Sequence, residues 1–135
     1  MTVFADASAL VAIVAQEAEA AAFADCLDGD AQRLCSALSA WETVAALVRG
    51  YEFSAPSARA RVRLFLDAMN FSFVGIGEPE FMIAADAYAR YGKDRHPAAL
   101  IMGDCFAYAC ARTNAARLLF KGDDFAHTDI ESAMG

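Results

Sequence analysis

The sequence predicts a three-layer α/β/α domain with a mainly parallel sheet of four to five strands. Short strand-like runs alternate with longer helical patterns along the chain, which is typical of βαβ units. The chain has 135 residues, of which 58% are hydrophobic, so it can bury a core without a disulfide or a structural metal. Its apolar stretches are shorter than the roughly 18 to 20 residues that span a bilayer. We therefore expect residues 1–135 to form one domain with no membrane segment.

The first half of the chain predicts two strands and two long helices. Residues Thr2 to Ala5 predict the first strand, and an alanine-rich helix follows from Ser8 to about Leu27. The turn residues Asp28-Gly29-Asp30 end this helix, and Arg33 to Ser36 predict the second strand. The next helix has an apolar stripe at helical spacing, formed by Leu38, Trp41, Ala45 and Val48.

The second half of the chain repeats this alternation. Gly50 is expected to end the preceding helix, and Pro56 to begin another that runs to about Met69. The remaining expected elements are a strand at Phe71–Ile76, helices at Pro79–Tyr91 and Gly103–Thr113, a strand at Arg117–Phe120 and a short element after Asp129. Ligands of such sheets bind beyond the carboxyl ends of the strands.

Charge and cysteine content limit the possible functions. Eighteen acidic and eleven basic residues give a net charge of −7, which argues against a nucleic-acid-binding surface because such surfaces are usually basic. No basic segment precedes the apolar residues of the N-terminus, so we expect a cytoplasmic protein. Four cysteines without a C-x-x-C pair predict buried free thiols and no zinc site; they are Cys26, Cys35, Cys105 and Cys110.

Two acidic residues lie near the first two strand-to-helix junctions. Asp6 directly follows the first strand, where it could equally act as a helix N-cap. Glu42 ends the sequence Ser39-Ala40-Trp41-Glu42, which fits a capping box. Ser36 is an equally good cap, and it would leave Glu42 inside the helix beside the buried face. Both interpretations of Glu42 remain open from sequence.

Three further acids occupy equivalent places later in the chain. Asp104 lies in the first turn of its helix, while Asp123 and Asp124 follow the fourth strand. In a parallel sheet these places share one edge, and carboxylates that meet there repel one another unless a cation neutralises them. Oxygen ligands without His or Cys favour Mg²⁺ or Mn²⁺. Such an ion activates water and stabilises charge on a phosphoryl group.

The acids belong to motifs that occur in a fixed order. These are Asp6-Ala7-Ser8-Ala9, then Ser39-Ala40-Trp41-Glu42, a long block from Tyr91-Gly92-Lys93 through His96-Pro97-Ala98 to Gly103-Asp104-Cys105-Phe106-Ala107-Tyr108-Ala109, and Lys121-Gly122-Asp123-Asp124-Phe125 to Thr128-Asp129. This order resembles that of PIN-domain ribonucleases, and most of all the VapC toxins of bacterial toxin–antitoxin pairs. The resemblance covers essentially the whole chain, and the long central block is its most specific part.

The resemblance implies a particular site. It implies that Asp6 and Asp104 are the principal Mg²⁺ ligands, which Mn²⁺ could also use, and that Glu42 lies in the same acidic pocket. The family form Gly-x-Asp-Phe favours Asp124 as the fourth acid, with Asp123 as the alternative. Ser8, Arg112 and Asp129 are the candidates for supporting roles around these acids, Asp129 through a water molecule.

The resemblance also implies an activity and partners. The family cleaves structured RNA, often tRNA or ribosomal RNA, by direct attack of water in the presence of Mg²⁺. It implies a homodimer and inhibition by a small VapB-type antitoxin, whose C-terminal segment occupies the acidic groove. On this interpretation the acidic charge is concentrated at a metal site, and arginines elsewhere contact the RNA.

Three other classes fit the positions of the acids less well. A haloacid-dehalogenase-like phosphatase needs a second acid two residues after Asp6, where this sequence has Ser8. A phospho-receiver module needs paired acids at the first strand and a phospho-accepting Asp after a middle strand. Asp6 has no acidic neighbour, and Asp67 lies within a helical pattern. An inactive binding module would leave the acids without a role.

Overall fold

Four parallel strands form the central sheet in the computed structural model, which describes residues 1–29 and 32–135. The strands of the described residues are β1 (Thr2–Ala5), β2 (Gln32–Ser36), β3 (Ser72–Val74) and β4 (Arg117–Leu119). They lie in the spatial order β3-β2-β1-β4, and every pairing between them is parallel. An isolated bridge joins Leu118 to Ser132 beside β4.

Helices cover both faces of this sheet, as the sequence predicted. Because side chains alternate along a strand, Val3 and Ala5 pack into one core while Phe4, between them, packs into the other. The helices are α1 (Ala7–Val14), α2 (Ala20–Asp28), α3 (Ala37–Tyr51), α4 (Ala55–Ala68), α5 (Glu78–Tyr91) and α6 (Met102–Thr113), with a short 3₁₀ helix at Phe125–His127. The first core contains residues of α1 to α4, and the second contains residues of α5 and α6.

The helix predicted from Ser8 to Leu27 is two helices, so this expectation was wrong. The first helix ends at Val14, and Gln16, two residues further on, has a φ of 58°. The Glu17 N–H donates to the Ala12 carbonyl at 2.8 Å and the Gln16 N–H to the Ile13 carbonyl at 3.2 Å. These two bonds form the helix-ending pattern that satisfies the last carbonyls of α1. The alanine-rich composition did not indicate this break, and Asp30 of the predicted turn lies outside the described residues.

The apolar stripe predicted for α3 is also wrong. Trp41 is 66% exposed and Val48 is 38% exposed, whereas the buried stripe consists of Ser39, Thr43 and Leu47. The polar members of this stripe can be buried because their hydroxyls are satisfied locally. The Thr43 hydroxyl donates to the Ser39 carbonyl at 2.8 Å, and the Ser39 hydroxyl donates to the Ser36 carbonyl at 3.1 Å.

The remaining boundaries shift by a few residues. The helix expected to end at Gly50 continues to Tyr51, and the strand expected at Phe71–Ile76 is confined to Ser72–Val74. The 3₁₀ helix precedes Asp129, whereas the bridge at Ser132 follows it. Cys35, Cys105 and Cys110 are buried thiols outside any disulfide, whereas Cys26, also predicted to be buried, is half-buried; burial raises the pKa of the Cys35 thiol to about 12. No helix of the described residues is long and apolar enough to cross a membrane.

Substitutions in α3 test the observed orientation of this helix. Leu47 is fully buried, so Leu47→Ala should lower the free energy of unfolding by about 2–5 kcal/mol. Trp41→Ala, two turns away on an exposed face, should change it by less than about 0.5 kcal/mol. Urea denaturation followed by circular dichroism measures both values. A larger loss at Trp41 than at Leu47 would show that the sequence-derived stripe was right.

Candidate active site

A groove of about 520 Å³ lies where the carboxyl ends of β1 and β4 meet the beginnings of α1 and α6. The edge of the parallel sheet thus forms the cleft that the strand order predicted. The polar side chains lining it are Asp6, Ser8, Glu17, Glu42, Arg49, Asp104 and Lys121. Three of the predicted acids therefore share one groove.

Asp6 is fixed by the helix that follows it. It is the N-cap of α1 and is only 5% exposed. One of its carboxylate oxygens, Oδ2, accepts hydrogen bonds from the Ser8 N–H at 3.0 Å and from the Ser8 hydroxyl at 2.6 Å. The Ser8 Oγ in turn accepts from the Lys121 N–H at 3.0 Å. Ser8 therefore links Asp6 to the loop after β4, and Asp6 is both a cap and a groove residue.

Glu42 lies inside α3, which decides between the two interpretations left open by the sequence. Ser36 caps the helix, and its Oγ accepts from the Ser39 N–H at 3.0 Å. The Glu42 side chain extends to α6 and lies against Gly103, where an added methyl group would overlap its carboxylate. A residue without a side chain at position 103 thus permits the close approach of Glu42 to the first turn of α6.

Asp104 lies in the first turn of α6. One of its carboxylate oxygens, Oδ2, accepts a hydrogen bond from the Ile101 N–H at 3.1 Å, which satisfies a free donor at the helix N-terminus. The helix dipole favours a negative charge at this position. The capping role and the groove position coexist in Asp104, as they do in Asp6.

The carboxylates of the groove raise one another's pKa values. Burial raises the pKa of Glu42 to about 7, and the charges of Asp6 and Asp104 add to this effect. Burial likewise raises the pKa of Asp104 to about 6, with contributions from Asp6 and Asp124. Burial also raises the pKa of Asp6, although its hydrogen bonds from Ser8 oppose the shift. Strongly perturbed acids in a cleft are typical of functional sites.

The two adjacent aspartates after β4 differ in their relation to the groove. The charge of Asp124 raises the pKa values of both Asp6 and Asp104. Asp123 is not among the charges that raise either pKa. Both residues are exposed and follow Gly122, whose φ of 98° turns the chain after the strand. The electrostatic coupling favours Asp124 as the fourth acid of the cluster.

Two predicted supporting residues lie outside the groove lining. Arg112 pairs with Asp129 at 2.6 Å, and the Tyr108 hydroxyl donates to Asp129 at 2.6 Å. The Tyr108 hydrogen bond and the Arg112 charge lower the pKa of Asp129 to about 2. This network ties the C-terminal segment to α6, and the structure does not bring Arg112 or Asp129 to the groove.

The groove contains three charged residues that sequence reasoning missed. Arg49 follows Glu42 by seven residues on α3, a spacing that places both on one helical face. This periodicity could have identified Arg49. Lys121 pairs with Glu17 at 2.8 Å and with Glu19 at 3.4 Å, and the Tyr51 hydroxyl also donates to Glu17. No sequence pattern indicated these long-range contacts.

The donors of the groove fit a hard divalent cation. The nearby acids offer only carboxylate oxygens, the ligands that Mg²⁺ and Mn²⁺ prefer. In the described part of the chain, no three acidic, histidine or cysteine side chains are close enough to hold an ion together. Mg²⁺ is usually bound by one or two carboxylates and keeps several of its waters, so it does not require three protein ligands.

Comparisons with known proteins agree with this fold and groove. The PIN-domain family model matches residues 3–131. Ribonuclease VapC30 of Mycobacterium tuberculosis is 42% identical over 125 residues, which cover 93% of each chain. Ribonuclease VapC of Mycolicibacterium smegmatis is 39% identical over 93% of this chain and 95% of its own. The fold is also that of Mycobacterium tuberculosis VapC20, a sarcin–ricin loop cleaving toxin, with a TM-score of 0.74 at 16% identity over 95% of each chain.

The chain therefore belongs to the PIN-domain family. Within that family it is a VapC-type toxin, an endoribonuclease that acts on RNA phosphodiester bonds. This membership decides against the phosphatase and phospho-receiver alternatives. It also agrees with the structure around Asp6, where Ser8 replaces the second acid that a phosphatase would need.

Gly103→Ala tests whether RNA cleavage depends on the close approach of the Glu42 side chain to α6. The new methyl group would push the end of the Glu42 side chain aside, and we expect about a 100-fold loss of RNA cleavage with the fold retained. Gly50→Ala is the matched control, since nothing lies within 4 Å of the methyl group it adds. Initial rates on RNA and circular dichroism spectra measure the two effects. Full activity of Gly103→Ala would show that the position of Glu42 is not critical.

The raised pKa values predict how stability depends on pH in EDTA. The folded protein keeps protons on Glu42 and Asp104 up to pKa values of about 7 and about 6, above the ordinary values of 4.5 and 3.8. The folded state thus binds more protons than the unfolded chain between about pH 4 and pH 7, so stability falls across this range. Thermal melts should show this fall, and Glu42→Gln should flatten it. Stability that rises with pH would contradict the electrostatic coupling.

Proposed function

We propose that this toxin hydrolyses RNA with Mg²⁺ as its metal ion, which Mn²⁺ can replace, and with water as the nucleophile. The observation that carries the proposal is that Asp6, Glu42 and Asp104 line one groove, where burial and mutual repulsion raise carboxylate pKa values and the charge of Asp124 adds to the shifts of Asp6 and Asp104. A cation removes this repulsion. The PIN-domain fold supports the same assignment.

Each acid has a separate part in holding the ion. Asp6 and Asp104 would bind it directly, with Glu42 and Asp124 acting through its waters. The bound ion would lower the pKa of a water molecule and stabilise the charge that develops on the phosphoryl group. Ser8 orients Asp6, and its hydroxyl already donates to that carboxylate at 2.6 Å. No histidine lines the groove in the described residues to activate the Ser8 hydroxyl, so we assign the attack to water.

The substrate we propose is structured RNA, such as tRNA or ribosomal RNA. Support comes from relatives that are ribonucleases and from the sarcin–ricin loop cleaving toxin that shares the fold. The net charge of −7 is compatible with RNA binding, because four of the acids belong to the proposed metal site. Metal and local arginines would then provide the attraction for phosphate.

We also propose that a VapB-type antitoxin binds and inhibits this toxin. We further propose that residues 1–135 act as one domain, that the protein is a homodimer and that it is cytoplasmic. A basic C-terminal antitoxin segment would complement the acidic groove. A second groove of about 520 Å³ has apolar walls and supports protein contacts, since Trp41 and Phe73 line it and are 66% and 46% exposed. Light scattering of the purified protein tests the dimer.

Neutral variants of the two principal ligands test the mechanism. Asp6→Asn and Asp104→Asn each remove a negative ligand, while the amide oxygen can still accept the capping hydrogen bonds. We expect cleavage of total RNA to fall at least about 100-fold in each variant, and EDTA to abolish it in the unsubstituted protein. Gel assays with and without added Mg²⁺ measure this. Cleavage that survives EDTA would refute the metal mechanism.

A paired substitution distinguishes the adjacent aspartates. Asp124→Asn should lower the rate of cleavage about tenfold or more, because the charge of Asp124 acts on the carboxylates of Asp6 and Asp104. Asp123→Asn should leave the rate within about twofold, since its charge is not coupled to those acids. The same gel assay compares the two variants. The reverse order of effects would assign the role to Asp123.

A further inference from the structure

The groove has a positively charged part besides its acidic part. Arg49 and Lys121 line it together with Asp6, Glu42 and Asp104. An RNA strand that places one phosphate at the acids must pass other lining residues of the same groove. Arg49 and Lys121 are the two lining cations that such a second phosphate can meet.

Helix geometry fixes the separation of Arg49 from the acids. Glu42, Ala46 and Arg49 follow one another at intervals of four and three residues, and all three line the groove. They therefore form one stripe along α3. The rise of 1.5 Å per residue places the backbone of Arg49 about 10 Å from that of Glu42 along the helix axis. Arg49 thus begins beside the acidic cluster, and its charge reaches far enough to oppose the raised pKa of Glu42.

The two cations differ in their ion pairs. The Lys121 ammonium group lies 2.8 Å from Glu17 and 3.4 Å from Glu19, so two carboxylates already balance its charge. Arg49 is exposed, and no carboxylate of residues 1–29 and 32–135 forms an ion pair with it. Arg49 acts on Glu42 through its charge without an ion pair, so of the two groove cations in the described residues its guanidinium is the one available to a ligand.

We propose that Arg49 binds an RNA phosphate adjacent to the phosphate that is cleaved. The inference rests on the proposed function, because it takes the four acids as the position of the scissile phosphate. A guanidinium group matches the geometry of a phosphate with two parallel hydrogen bonds. The contact is independent of base sequence, so it contributes to affinity and to the orientation of the strand, and not to the choice of cleavage site.

Salt dependence of RNA binding tests this assignment. Each phosphate contact to a single strand adds about 0.7 to the slope of log affinity against log salt concentration. In an Asp104→Asn background with Mg²⁺ present, Arg49→Gln should weaken binding of a fluorescein-labelled, mixed-sequence, single-stranded RNA about tenfold and reduce the slope by about 0.7. Arg49→Lys keeps the charge and should retain the slope. Fluorescence anisotropy measures the affinities.

Arg61→Gln is the matched control, since Arg61 is exposed on α4 and does not line the groove. It should leave the slope unchanged. Equal slopes for Arg49→Gln and Arg61→Gln would overturn the assignment of Arg49. Cleavage of the same RNA by the unsubstituted protein in EDTA would instead overturn the proposed metal mechanism, so the two failures can be told apart.

Discussion

Repulsion among carboxylates at one edge of the sheet is the constraint on which the site depends. Parallel strands bring the first turns of α1 and α6 to this edge, and α3 extends Glu42 to them. Asp6 and Asp104 also accept hydrogen bonds from free N–H groups of their own helices. This local stabilisation holds acids together that would otherwise move apart, and it leaves a charge that a divalent cation can neutralise.

Small residues around the acids set the distances between them. Gly103 allows Glu42 to approach α6, and Ser8 joins Asp6 to the loop after β4 through two successive hydrogen bonds. Neither residue would hold the ion itself. Their positions show that the groove is built by the contacts between elements as much as by the acids. The burial that these contacts produce is also what raises the carboxylate pKa values.

The sequence predicted the alternation of strands and helices and the parallel sheet, and it placed the acids at one edge because every strand-to-helix junction of a parallel sheet lies there. It failed where tertiary contacts override local pattern. Trp41 has the spacing of a core residue, yet Ser39 and Thr43 are buried in its place because their hydroxyls bond to nearby carbonyls. The family form favoured Asp124 over Asp123, but no sequence pattern could reveal that Glu17 pairs with a lysine over a hundred residues away.

The central claim is that a divalent cation occupies the acidic groove. Titration calorimetry of Mn²⁺ near neutral pH, in two buffers with different ionisation enthalpies, measures binding and proton release together. We expect binding to release protons, because Glu42 and Asp104 have pKa values of about 7 and about 6 before the ion arrives. Absence of binding, or binding that Asp6→Asn leaves unchanged, would contradict the account.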